Sequence, residues 1–96
     1  IGFALTEELR TQQGQVLNPS LLDYKVVTPL EMPPIDVLRV DVTDPVGPFG
    51  AKEVGEGAVG PNAPAIANAI LHAAGIQVKT LPIKSERVLE ALKETS

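Results

Sequence analysis

Nine prolines in 96 residues decide where this chain can and cannot form regular structure. Each one fixes φ, removes a backbone donor and biases the residue before it away from the helical region. Pro29, Pro33 and Pro34 fall within six residues, which excludes regular pairing over most of residues 28–35. Asp44-Pro45 and Gly47-Pro48 form a second barrier, Pro61 and Pro64 a third, and Pro82 a fourth. Secondary structure is confined to the stretches between these barriers.

Periodicity can then be read stretch by stretch. Ile1, Leu5 and Leu9 recur every four residues beside Ala4, which predicts the tail of a helix ending before Gly14. Residues 11–15 are polar and turn-like. Asn18-Pro19-Ser20 is a turn or cap signature, and Ser20 can open one helical turn through Asp23. The rest of residues 16–34 is irregular yet carries Leu21, Leu22, Tyr24, Val26, Val27, Leu30 and Met32. A loop this apolar is expected to lie along another surface, a dimer partner's included. Residues 35–42 predict a strand, with Leu38, Val40 and Val42 on the core side; Ile35 and Val37 fall on the opposite parity, so its start is expected to be bulged or covered on both faces. Residues 62–74 predict a helix ended by Gly75, with Asn62 as its N-cap, or Ala63 with Pro64 at the first helical position. Ile66, Ala69, Ile70 and Ala73 form its main face, and its other faces are so poor in polar residues that burial is expected all round. Residues 76–83 read as extended, with a short strand at 77–79. Ser85 caps a last helix with Glu86 and Lys93 matched to its dipole and Val88, Leu89 and Leu92 as its stripe. The expected class is α+β, about three helices with one or two short strands and long Pro/Gly-rich loops.

Composition excludes several functions. The formal net charge is −4 and the basic residues are scattered, which is not a nucleic-acid footprint. There is no cysteine and one histidine, His72, so thiolate sites and multi-histidine metal sites are excluded within the chain. No apolar run approaches the roughly 20 residues of a membrane span. The expected location is cytoplasmic. The pattern at Ile1 already reads as helix, with no leader-like segment, so a piece of a longer protein is expected.

One stretch stands apart: Gly50-Ala51-Lys52-Glu53-Val54-Gly55-Glu56-Gly57, leading into the predicted helix. Its three glycines let the backbone pass close to another object. Such a loop is either a tight corner or the wall of a site. Glu56, between two glycines, has a carboxylate that a substrate or cofactor can approach, and partial burial would suit it to general-base work; the alternative is an exposed loop acid. Lys52 and Glu53 read as solvated charges, His72 as a packed or surface histidine, and Tyr24 as a structural hydrogen-bond former. These residues by themselves name no reaction.

The order of residues says more. Gly50-Ala51-Lys52-x-Val54-Gly55-Glu56 resembles the C-terminal signature of the molybdenum-binding subunit of the xanthine dehydrogenase family, the molybdenum hydroxylases. Ala4-Leu5-Thr6-Glu7-Glu8, the run from Leu17 to Lys25, Met32-Pro33, Gly47-Pro48-Phe49-Gly50, the run from Ala63 to Ile70, and Leu81-Pro82-Ile83 with the segment after it resemble the same subunit in order. The resemblance covers essentially the whole chain, which would make residues 1–96 the C-terminal segment of a molybdopterin-binding domain, itself incomplete.

That resemblance implies a function. Glu56 would be the active-site base that deprotonates a metal-bound hydroxyl, in an oxidoreductase of the xanthine dehydrogenase or aldehyde oxidase kind. Lys52, Val54 and Gly55 would run beside the molybdenum–pterin cofactor, expected as the cytosine dinucleotide form, with no metal ligand from this chain. The implied partners are the remainder of the molybdenum subunit and iron–sulfur and flavin subunits. Alone, the chain is expected to bind no cofactor and to be inactive; the competing reading is a non-catalytic, stand-alone fragment that self-associates. Two positions depart from the family's pattern. Position 53 is usually small and here is Glu53, which must point away from the cofactor or disturb it; position 27 is often proline and here is Val27.

Overall fold

In the computed structural model, which describes residues 1–95, the elements are α1 (Gly2–Leu5), β1 (Thr11–Gln12), β2 (Gln15–Val16), α2 (Asn62–Ala74) and α3 (Ser85–Thr95). Single 3₁₀ turns occupy Pro48–Gly50 and Glu56–Ala58. The class is the α+β arrangement expected, with the strands in a different place.

The N-terminal helix is shorter than its stripe predicts. It stops at Leu5, with Thr6 at its C-terminal cap, and Leu9 is exposed. Asn18 holds the segment that follows. It is 2% exposed; its Oδ1 accepts from the Arg10 N–H at 2.8 Å and its Nδ2 donates to the Glu8 carbonyl at 2.7 Å. Both groups are thereby committed to a side chain and not to a helix. The chain then folds back as a two-residue hairpin, pairing Thr11 with Val16 and Gln12 with Gln15. Gln13 and Gly14 both have positive φ, 48° and 80°, the turn geometry whose twist suits two-residue hairpins.

Residues 35–42 do not form a strand. They have no ladder partner, and every one of them is exposed, Leu38 at 89%. Residues 77–79 likewise pair with nothing among the described residues. The alternation is real, but a strand needs a neighbour's N–H and C=O groups as well as its own pattern. Residues 20–24 behave as expected: the Ser20 carbonyl accepts from the N–H groups of Asp23 and Tyr24. Tyr24 donates to Glu7 Oε2 at 3.0 Å and Thr6 Oγ1 to the Lys25 carbonyl at 2.9 Å, which fastens this turn to α1. Leu21, Leu22, Val26, Leu30 and Met32 stay exposed, Leu22 at 95% and Leu30 at 99%.

A small core joins the two ends of the chain. Ala4, Ile76 and Ile83 are buried, and the Ile83 N–H donates to the Ala4 carbonyl at 2.6 Å. Glu8 reaches across the same seam to Lys84, and to Arg87 at 3.2 Å. The Lys84 bond and, after it, the Arg87 bond hold the Glu8 carboxyl below its ordinary range. Helix α2 ends as expected at Gly75, φ 71°, but it is not buried. Ala63, Ile66, Ala67, Ile70 and Leu71 are half-covered, while Ala69 and Ala73 face outward. In α3, Arg87, Val88 and Ala91 are half-buried, and Leu89 and Leu92 are exposed.

Two magnitudes show how open this fold is. The accessible surface is 8184 Å², about 1.5 times the roughly 5,300 Å² of a compact domain of this mass. The radius of gyration is 17.7 Å, against about 13 Å for a compact chain of 100 residues. Much of the apolar surface therefore lacks a cover within the chain.

The proline-rich loop does contain one local lock. Glu31 Oε2 accepts from Thr28 N and Thr28 Oγ1 at 2.9 and 2.8 Å, and Lys25 lies 3.2 Å from Oε1. These bonds, those from Thr28 foremost, lower the Glu31 carboxyl to about 2. A depressed folded-state value means the unfolded chain binds the extra proton between about pH 2 and the ordinary glutamate value near 4.3. The lock is therefore fully formed above that range and weakens as the pH falls toward 2. A carboxyl-carbon NMR titration is expected to place Glu31 near pH 2; a midpoint at about 4 or above contradicts the lock.

Candidate active-site loop

Residues 44–58 are built as two consecutive turns, each organised by an acidic side chain. In the first, Asp44 Oδ1 accepts from Val46 N at 2.7 Å and Gly47 N at 3.0 Å, and the Asp44 N–H donates to the Gly50 carbonyl at 3.1 Å. The two backbone donors hold the Asp44 carboxyl below its ordinary range. Glycine is required at position 47, where a Cβ would lie 2.2 Å from the Ala51 carbonyl oxygen. Phe49 takes φ 55°, unusual for a bulky residue, and its ring is fully exposed.

The second turn carries Glu56. Gly55 is its N-cap, Glu56 its first residue, and the Val59 N–H closes it on the Glu56 carbonyl at 3.0 Å. Three residues later α2 begins, with Pro61 as its N-cap and no side-chain cap bond. Glu56 thus stands on a short turn mounted just before a 13-residue helix. Glu56, Lys52, Val54 and Gly55 are all exposed. A Cβ placed at Gly55 would meet nothing within 4 Å, so the space beside the loop is open at that residue.

The structure brings only some of the expected site residues together. Lys52, Glu53 and Val54 share a groove of about 350 Å³ with Arg39, Val40, Asp41, Val42, Thr43 and Gly50. Gly55 and Glu56 lie outside its lining. Arg39 and Asp41, on one edge of the groove, bond to each other at 3.0 Å. A larger cleft of about 900 Å³ between α1, α2 and the start of α3 is lined by Glu8, Asn18 and Lys84 and by none of the loop residues. The groove's partner segment, 39–43, was legible only as a strand; its place beside Lys52 and Val54 follows from the Asp44 turn, which folds residue 50 back onto Thr43.

Glu53 is bound within the loop itself. Its carboxylate does not project from the loop but turns back, Oε1 accepting from the Gly57 N–H at 2.6 Å. Asn62 donates from Nδ2 to the Ala58 carbonyl at 3.3 Å and so does not cap α2 with its side chain, contrary to one of the two expected caps. Among the described residues, no group of three His, Cys, Asp or Glu side chains gathers to hold a metal ion, and no helix is long and apolar enough to cross a membrane.

The backbone around Glu56 also bears on what could bind. Among the described residues, the N–H groups of Lys52, Glu53, Val54 and Gly55 have no partner within the chain. A run of free donors, a cationic side chain and a glycine facing open space suit a group rich in oxygen acceptors.

Comparison with known proteins places the chain in a family. No family model matches the chain. It is 39% identical over 92 residues to the xanthine dehydrogenase molybdenum-binding subunit of Escherichia coli O157:H7, an alignment covering 94% of this chain and 12% of that protein. It is also 39% identical over 98 residues to the aldehyde oxidoreductase molybdenum-binding subunit PaoC of Escherichia coli K12, covering 98% of this chain and 13% of that one. The fold superposes on the crystal structure of quinoline 2-oxidoreductase from Pseudomonas putida 86 with a TM-score of 0.81 and 29% identity, over 95% of this chain and 12% of that one. The chain belongs to the xanthine dehydrogenase/aldehyde oxidoreductase family of molybdenum-binding subunits. It spans about an eighth of the length of those relatives.

Proposed function

We propose that this chain is one wall of the active site of a molybdenum-dependent oxidoreductase of the hydroxylase kind, and that Glu56 is its catalytic base. The observation that carries this reading is the 39% identity along 94% of the chain to a protein named as a molybdenum-binding subunit. The uncovered surface supports it: a piece that exposes far more area than its mass predicts has the character of a part docked on a larger body. The remainder of the molybdenum subunit is the first partner, followed by iron–sulfur and flavin subunits; the cofactor is a molybdenum–pterin, in its cytosine dinucleotide form.

When bound, such a cofactor supplies the two-electron redox centre. The chain's own contribution is positional. Lys52, Val54 and Gly55 would hold the cofactor, their free N–H groups offering donors to its oxygens, and Gly55 would let the backbone approach. Glu56 accepts a proton at its carboxylate, a role helped when the rest of the subunit covers the loop and withdraws it from water. The helix behind the turn gives the acid a rigid mount. Replacing Glu56 by glutamine in the complete protein tests this: turnover falls while assembly is retained.

A further inference from the structure

The 3₁₀ turn that holds Glu56 lacks an ordinary cap. Its N-cap residue is Gly55, with φ −92° and ψ −81° and no side chain to offer. An N-cap side chain ordinarily accepts a bond from the second or third N–H of the turn. Here the second residue is Gly57, and its N–H is taken by Glu53 Oε1 at 2.6 Å, from a residue two positions before the cap.

We propose that Glu53 is a positioning residue for Glu56, replacing the absent cap side chain. Three observations converge on it. The bond is charge-assisted, the stronger kind. It closes a five-residue ring of chain that contains Glu56, while the Val59 N–H closes the same turn from the other side on the Glu56 carbonyl. Position 57 is shaped for the bond, since a Cβ there would lie 2.7 Å from Glu53 Oε2 and 3.4 Å from its carboxyl carbon. Gly57 therefore admits the Glu53 carboxylate, and the pair acts as one device.

The catalytic part of this inference rests on Glu56 being the base; the cap itself does not. The experiment uses the complete protein with its partners and three variants, Glu53→Ala, Glu53→Gln and Gly57→Ala. Gly57 does not need positive φ, so alanine there displaces the Glu53 carboxylate without backbone strain. Amide hydrogen exchange at Gly57 is expected to quicken by about tenfold in Glu53→Ala and Gly57→Ala, the loss of one bond, and to stay near the parent rate in Glu53→Gln, whose amide oxygen accepts the same N–H. With a substrate of the parent enzyme, kcat is expected to fall by about tenfold in the first two variants with KM changed less than about twofold, and to recover in Glu53→Gln. Unchanged exchange at Gly57 in Glu53→Ala overturns the cap. Quickened exchange with unchanged kcat overturns the positioning role. If Glu56→Gln retains turnover, the base assignment fails while the exchange result still judges the cap.

Discussion

Glu56→Gln in the complete protein is expected to lower turnover by on the order of 10²-fold or more, with KM nearly unchanged. Glutamine keeps the length and volume of glutamate and one oxygen acceptor, so the turn that carries it retains its bonds. These run through the Glu56 backbone carbonyl and the Gly57 N–H and not through the Glu56 carboxylate. What the amide loses is the capacity to take up a proton near neutral pH. A general base contributes about 10² to 10⁴ in rate, which separates this outcome from the few-fold changes of a disturbed loop. Turnover within about tenfold of the parent means that Glu56 is not the base.

Asn18→Ala is the substitution expected to damage the fold most. The side chain uses both of its functions, accepting from Arg10 N and donating to the Glu8 carbonyl, at a position 2% exposed. Alanine removes two hydrogen bonds and leaves a backbone donor and a backbone acceptor without their partner in a covered place. The expected cost is about 2–4 kcal/mol, read as a lowered urea midpoint at unchanged slope. The consequence extends beyond the hairpin, because Glu8 also bonds Lys84 and Arg87 at the start of α3. Asn18→Asp keeps the acceptor but loses the donor, and is expected to fall between alanine and the parent. A midpoint unmoved in Asn18→Ala means that this pair of bonds does not stabilise the fold.

What the sequence made legible was mostly local. Helix α2 could be read from its composition, the proline of its first turn and Gly75, whose φ of 71° is the geometry that glycine accepts readily. Helix α3 and the turn after Ser20 were legible for the same kind of reason. The failures share one cause, dependence on distant groups. The alternation of Leu38, Val40 and Val42 promised a strand, but no neighbouring strand lies beside it, so the pattern is left exposed. The Ile1, Leu5, Leu9 stripe promised a longer helix, and a side chain eight residues past Arg10 withdrew that residue's N–H. The apolar surround of α2 predicted burial that this length of chain does not supply.

The loop was legible in another way. Its glycines marked a close-approach segment, and the order of its residues marked a family, now supported by relatives at 39% identity. The bond from Glu53 to Gly57 was not legible, because a five-residue ring closed by a long side chain has no periodic signature. It turns the residue that departs from the family pattern into part of the turn's own construction.

The most direct test of the central claim, that this chain serves a molybdenum enzyme, is elemental analysis of the protein purified from its natural source without chelator. The account predicts molybdenum in about equimolar amount, travelling with longer polypeptide that covers the exposed face of residues 21–42. A metal-free homo-oligomer, its copies shielding that face from one another, would contradict it.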